Sequence, residues 1–246
     1  MAHLVLVHGA WHGAWCWRRV LPLLRADGHT AHAITLTGVG ERAHLLSREI
    51  TLETHIADVV NLIEAEELQH VTLAVHSYAG MIGTAVADRM PQRLKHLVYV
   101  DACIPEPGES WSSRHNPVTQ EARINAAKAH ALNAFPPPDP TVFGLSGADH
   151  AWVQRRQTPH PAEPYTHALD FSAARVASVP RTFIDCTTPP LATIDSIRQR
   201  VRDINFWGGL WHQGSGGAHI EVMATGHDPM VSAPAELAKI LLHCAA

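Results

Sequence analysis

Ser77 lies in the run Val71-Thr-Leu-Ala-Val-His-Ser-Tyr-Ala-Gly80, in which an apolar strand pattern passes directly into a small-residue helix start. This spacing reads as a nucleophile elbow. A tight strand-to-helix turn lifts the serine hydroxyl above a sheet and leaves the backbone N–H of Tyr78 free to hold an oxyanion. Against the G-x-S-x-G pattern, Val75 stands at the first glycine and Ala79 at the second, and the branched Val75 is expected to crowd the turn. A serine hydroxyl also needs a base to take its proton. His227, in Thr225-Gly-His-Asp-Pro229, follows the last expected strand and precedes the last expected helix, where a loop can lean over the sheet edge; serine first and histidine last is the chain order such an elbow requires. A second oxyanion donor is expected from His8-Gly9-Ala10-Trp11. Gly9 lets the backbone approach closely, and the N–H of Ala10 can point at the same spot as that of Tyr78.

These groups need a sheet beneath them. Short β-branched apolar runs alternate with helical patterns, which predicts a mostly parallel α/β sheet with helices on both faces. Strands are expected at 3–7, 30–36, 70–75, 94–101, 181–186 and 219–224. Helices are expected at 51–67, where Leu52, Ile56, Val59, Val60 and Ile63 recur at helical spacing behind a Thr51 cap, and at 79–90 and 233–244. The rhythm breaks between 105 and 180, a stretch with Pro136-Pro137-Pro138, Pro140, Pro159, Pro161 and Pro164. A single domain is therefore expected, with a core of 1–104 and 181–246 and an inserted cap of 105–180 that shapes the substrate pocket. Trp111, His115, Phe135, Phe143 and Trp152 are the cap side chains that could line it. The glycine-rich loop 207–218 does not follow a strand and open a helix, so no phosphate or dinucleotide role is expected.

Composition narrows the partners. A net charge of −4 gives no basic field for nucleic acid or an anionic membrane surface, so the expected partner is a small molecule. Cys16, Cys103, Cys186 and Cys244 show neither C-x-x-C nor metal-ligand spacing; reduced thiols are expected. With β-strand pattern beginning at His3 and no leader-like segment before it, the expected location is cytoplasmic. The 19 histidines are spread along the chain, and His8 and His12 form the one close pair in a plausible loop, without a nearby carboxylate; neither a metal nor a cofactor is expected. Helices on a sheet edge could pair two protomers as a homodimer, but no residue pattern names an interface.

Several motifs together carry a resemblance. They are Val5-Leu-Val-His-Gly-Ala10, His12-Gly-Ala-Trp-Cys-Trp17, Leu36-Thr-Gly38, His76-Ser-Tyr-Ala-Gly80, Leu97-Val-Tyr-Val-Asp-Ala102, Cys186-Thr187 and Gly226-His227. Across nearly the whole core the chain resembles the α/β-hydrolase family that contains the plant salicylate-binding methyl esterases, polyneuridine aldehyde esterase, the plant hydroxynitrile lyases and related bacterial esterases. The resemblance implies a serine hydrolase of small carboxylic esters, with Ser77 as nucleophile, His227 as general base and the Ala10 and Tyr78 amides as oxyanion hole. Hydroxynitrile lyases of this type carry a threonine at the position of Gly9 and a lysine at that of Asp228. An aspartate there is expected to repel departing cyanide, which favours ester hydrolysis.

The same resemblance puts the orienting acid two residues after the Cys-Thr pair, and that count lands on Pro189. An acid fixes the histidine tautomer and stabilises the imidazolium that forms. Asp101, at the end of the strand after the nucleophile strand, is the first candidate, since haloalkane dehalogenases and similar α/β-hydrolases place their acid there. Asp185 and Asp195 flank the vacant position and are the next. Without any acid the site would suit a non-hydrolytic lyase or cyclase step, or ligand binding alone.

Overall fold

The computed structural model describes residues 2–213 and 217–246. Its strands in chain order are β1 (His3–Val7), β2 (Thr30–Ile34), β3 (Val71–His76), β4 (Leu94–Val100), β5 (Glu109–Ser110), β6 (Ala134–Phe135), β7 (His160–Pro161), β8 (Ala168–Leu169), β9 (Arg181–Cys186) and β10 (Ala218–Met223). Six of them form one sheet in the order β10-β9-β4-β3-β1-β2, parallel throughout. Every strand expected from the sequence is present, with ends moved by at most two residues.

Alternation along the strands builds two cores. Val5, Val7, Leu73 and Val75 pack on one face with the helices Leu52–Ala65 and Gly80–Arg89, whereas Leu4, Leu6, Ala74 and Val98 pack on the other with Leu24, Leu237 and Leu241. β3 is buried along its whole length, as a strand covered by helices on both faces must be. Thr51 caps the helix Leu52–Ala65 by accepting from the Thr54 N–H at 3.3 Å.

Two helix glycines explain the unusual elbow sequence. A Cβ at Gly83 would lie 2.8 Å from both methyls of Val75, so the missing side chain makes the room that the branched residue needs, and the expected crowding is relieved one turn into the helix. A Cβ at Gly80 would lie 1.8 Å from the Cys103 carbonyl oxygen. The helix can therefore start against the end of β4 only with glycine there.

Between β4 and β9 the chain leaves the sheet, pairing β5 with β8 and β6 with β7 antiparallel and adding the helices Pro117–Lys128 and Gly147–Gln154. Of the glycine-rich loop, residues 214–216 lie outside the described residues. Ahead of them Trp207, Gly208 and Gly209 have positive φ, and the Trp207 indole is buried and donates to the Pro105 carbonyl at 2.8 Å. All four cysteines are free and buried, and no helix among the described residues is long and apolar enough to cross a membrane.

Candidate active site

Ser77 sits where β3 gives way to the tight turn Ser77–Ala79, at φ 55°. A non-glycine residue there carries strain of order ~1–3 kcal/mol, which the surrounding structure must hold. It is held by the Ser77 carbonyl, which accepts from the Cys103 N–H at 2.9 Å, and by the glycine contact at Gly80. The hydroxyl meets Nε2 of His227 at 2.8 Å, and Nδ1 of His227 meets Asp101 Oδ2 at 2.6 Å. A carboxylate can only accept, so Nδ1 carries the proton and Nε2 is the bare nitrogen that receives the serine O–H. The His227 loop is pinned by its own N–H, which donates to the Phe143 carbonyl at 3.0 Å.

The three candidate acids converge on one cation. Arg198 donates from Nη2 to Asp101 Oδ1 at 2.8 Å, from Nε to Asp185 Oδ1 at 2.6 Å and from Nη1 to Asp195 Oδ1 at 2.8 Å. Asp101 alone also reaches the histidine. Asp185 spends its second oxygen on Arg202, and Asp195 is solvent-exposed. Asp101 is fully buried at the end of β4. Pro189 packs beside Gly144, where a Cβ would come within 2.8 Å of its ring. Arg198 is a partner that the sequence reading missed; it lies 97 residues from Asp101 along the chain, and no local pattern links the two.

The loop after β1 presses on the serine. A Cβ at Gly9 would lie 2.7 Å from Ser77 Cβ and 2.8 Å from His76 Nδ1, so the threonine of the lyases does not fit here. His8 fixes the Gly9–Ala10 peptide. Its Nε2 accepts from the Leu36 N–H at 3.1 Å, which leaves Nδ1–H to donate to the Gly9 carbonyl at 2.7 Å. In a trans peptide the Ala10 N–H points opposite to that carbonyl. Burial lowers His8 to about 3, so it stays neutral and keeps this tautomer. Tyr78 is anchored separately, its hydroxyl 3.0 Å from Nδ1 of His55, whose Nε2 faces the Thr37 carbonyl at 2.9 Å.

Asp228 corrects one expectation. Its side chain turns into the core and meets His12 Nε2 at 3.0 Å, instead of facing the cavity to repel a leaving anion. His12 Nδ1 faces the Ala10 carbonyl at 2.8 Å. Both ring nitrogens thus face acceptors, and only an imidazolium satisfies both. Burial disfavours that charge, but the Asp228 charge and hydrogen bond outweigh it and raise His12 above its ordinary value. Burial likewise pushes the Asp228 carboxyl up, and the His12 charge overrides this and brings it down to about 2. His76, His227 and Asp228 lie close enough to hold an ion, yet His227 is paired to Ser77 and Asp101 and Asp228 to His12.

The sign of the linkage follows from the two directions. His12, raised above 6.5 in the folded state, contributes stability that is complete below 6.5 and is lost as pH rises through its folded value. Asp228, depressed from 3.8, contributes stability above 3.8 that is lost as pH falls toward 2. Asp228→Asn is expected to cost about 3 kcal/mol at pH 6, the scale of breaking a buried pair. Thermal unfolding from pH 5 to 9 should show the gap to the parent protein shrinking as pH climbs above 6.5.

Beside Ser77 and His227 lies a cavity of about 360 Å³, at the small end for ligand sites. Trp11, Trp111, Phe135 and Phe143 give it aromatic walls. Of the five side chains expected to line it, His115 and Trp152 do not: His115 bonds the Tyr165 hydroxyl at 2.8 Å, and Trp152 packs edge-on against Trp15 with Arg19 over its face.

The sequence profile of the alpha/beta hydrolase family matches residues 4–240. A carbendazim hydrolyzing esterase of Nocardioides sp. is 38% identical over 251 residues, covering 98% of each chain. Methylesterase 7 of Arabidopsis thaliana is 27% identical, covering 98% of this chain and 95% of that protein. Among solved structures, an extracellular alpha/beta-hydrolase from a Paenibacillus species superposes with a TM-score of 0.80 at 21% identity, over 100% of this chain and 99% of that one.

Proposed function

This chain belongs to the alpha/beta hydrolase family, and from that premise we propose that it is a serine esterase that cleaves a small carboxylic ester through an acyl-enzyme on Ser77. The observation that carries the reading is the chain from Asp101 Oδ2 to His227 Nδ1 at 2.6 Å and from His227 Nε2 to Ser77 Oγ at 2.8 Å. Ser77 Oγ attacks the ester carbonyl while its proton passes to His227. The tetrahedral oxyanion rests on the Ala10 and Tyr78 amides, and His227 returns the proton to the departing alcohol. Water then attacks the acyl-enzyme by the same base, releasing the acid and restoring the serine. No step calls on a cofactor.

Residues 105–180 act as a cap, since Trp111, Arg114, Arg123, Phe135 and Phe143 of that segment wall the cavity. The names of the relatives, esterases and methylesterases, support a small ester as the substrate, and the free buried thiols are consistent with a reducing cytoplasm. The non-hydrolytic alternative arose from the altered elbow and from the loss of the usual acid at position 189; the Asp101 contact to His227 at 2.6 Å supports the hydrolytic reading over it.

A fluorophosphonate probe tests the reading directly. Intact-mass spectrometry is expected to find a single adduct, with peptide mapping on Ser77. An unlabelled protein, or an adduct elsewhere, would return the non-hydrolytic alternative to first place.

A further inference from the structure

Two arginines in the cavity wall form no ion pair with an acid among the described residues. Arg114 closes the turn Trp111–Arg114 and Arg123 sits within the helix Pro117–Lys128; both line the cavity that holds Ser77 and His227. Nε and Nη1 of Arg114 and Nη1 of Arg123 are shielded from solvent and find no acceptor among the described residues. Two other guanidinium groups in this protein find acceptors for most of their donors, with Arg181 Nε the exception among them. Arg181 donates to the carbonyls of Ala177, Val179, Leu210 and Gln213, and Arg198 to three carboxylates. Arg114 and Arg123 differ from these in lining the cavity beside Ser77 and His227.

Aromatic faces hold the two cations in place. The Arg123 guanidinium lies 6.0 Å from the Trp11 ring, 5.6 Å from Trp111 and 5.7 Å from Tyr165, and that of Arg114 lies 5.9 Å from Trp111. Such contacts stabilise the charge but leave the in-plane N–H groups without an acceptor. Burial lowers both groups from their ordinary value, yet a guanidinium is not a group that proteins deprotonate. Natural interiors rarely leave charged donors unpaired, and each such group calls for an explanation, a functional role or a bound ion among them. A planar fork of N–H donors in an aromatic cavity suits a planar acceptor with two oxygens, which is a carboxylate.

We infer that the substrate carries a carboxylate of its own, remote from the scissile ester, which Arg114 and Arg123 bind: a half-ester of a small dicarboxylic acid. The inference rests on the esterase reading for the ester and adds the substrate class. Cleavage consumes water and gives a dicarboxylate and an alcohol, so no co-reactant is required.

The test compares monomethyl adipate with methyl 6-oxoheptanoate, which replaces the carboxylate by a methyl ketone of similar shape. The parent protein is expected to favour the charged ester by at least about tenfold in kcat/KM, the scale of a charge-assisted pair. Calorimetry on Ser77→Ala should show the same preference in binding alone. In Arg114→Met and Arg123→Met the charged ester is expected to lose about tenfold more than the neutral one, with Arg123→Lys recovering part of the loss. Equal or reversed preference in the parent protein overturns the inference without needing a variant to fold. So does an equal loss on both esters, which would reduce the arginines to packing on tryptophan faces. If Ser77→Ala prefers the half-ester while the parent cleaves neither, the serine mechanism fails and the carboxylate site stands.

Discussion

Asp101→Asn is expected to lower kcat on 4-nitrophenyl acetate by about 10⁴, the loss seen when a serine triad's histidine is left in the wrong tautomer. The reason lies in the other partner of Asp101. Arg198 donates to Oδ1 at 2.8 Å and can accept from nothing, so it claims the single carbonyl oxygen that an asparagine retains. The amide NH₂ is then turned toward His227 Nδ1, now 2.6 Å from Asp101 Oδ2. A donor at that place requires Nδ1 to accept, which moves the ring proton to Nε2, facing the serine. His227 would remain in position and yet be unable to act as base. Asp195→Asn, at an exposed carboxylate, is expected to stay within about threefold of the parent, since an exposed pair is worth little. Asp185→Asn breaks the ties to Arg198 and Arg202 and should lower the unfolding temperature more than kcat. Full activity in Asp101→Asn together with its loss in Asp185→Asn would exchange the roles of the two acids.

The sheet was legible because burial on both faces writes continuous apolar runs, and a 3.6-residue period writes the helices between them. Ser77 was legible for a local reason as well, since the strand, the turn and the small-residue helix start are contiguous. His227 needed only chain order. The partners that give these residues their states are encoded in no local pattern. Asp101 lies 126 residues before His227 along the chain, and His12 lies 216 before Asp228; each pair meets only after the sheet has assembled. For the same reason Asp228 read as a group facing the substrate when it is a buried counter-ion. Val75 read as a crowded position because its relief, Gly83, lies a helical turn beyond the motif. The cavity cations were missed because an arginine in a turn or on a polar helix is ordinarily a solvated one.

Ser77→Ala should have the largest effect of all, a fall in kcat of about 10⁶, since residues that act as one unit lose nearly everything when the nucleophile goes. The remaining rate, about 10³ over water, would belong to the oxyanion donors and to binding. The variant should bind substrate as before, because the cavity walls are set by Trp11, Trp111, Phe135 and Phe143 and the change removes one oxygen. Its stability separates chemistry from strain. Residue 77 sits at φ 55°, where alanine is no more at ease than serine, so Ser77→Ala should unfold within about 1 kcal/mol of the parent. Glycine has no Cβ penalty at that angle, and Ser77→Gly, equally inactive, is expected to gain about 1 kcal/mol. An elbow that costs stability and returns activity is what a nucleophile position should show. Should Ser77→Ala retain turnover while His227→Ala loses it, the histidine would be acting as a base without a covalent step, and the acyl-enzyme would have to be given up.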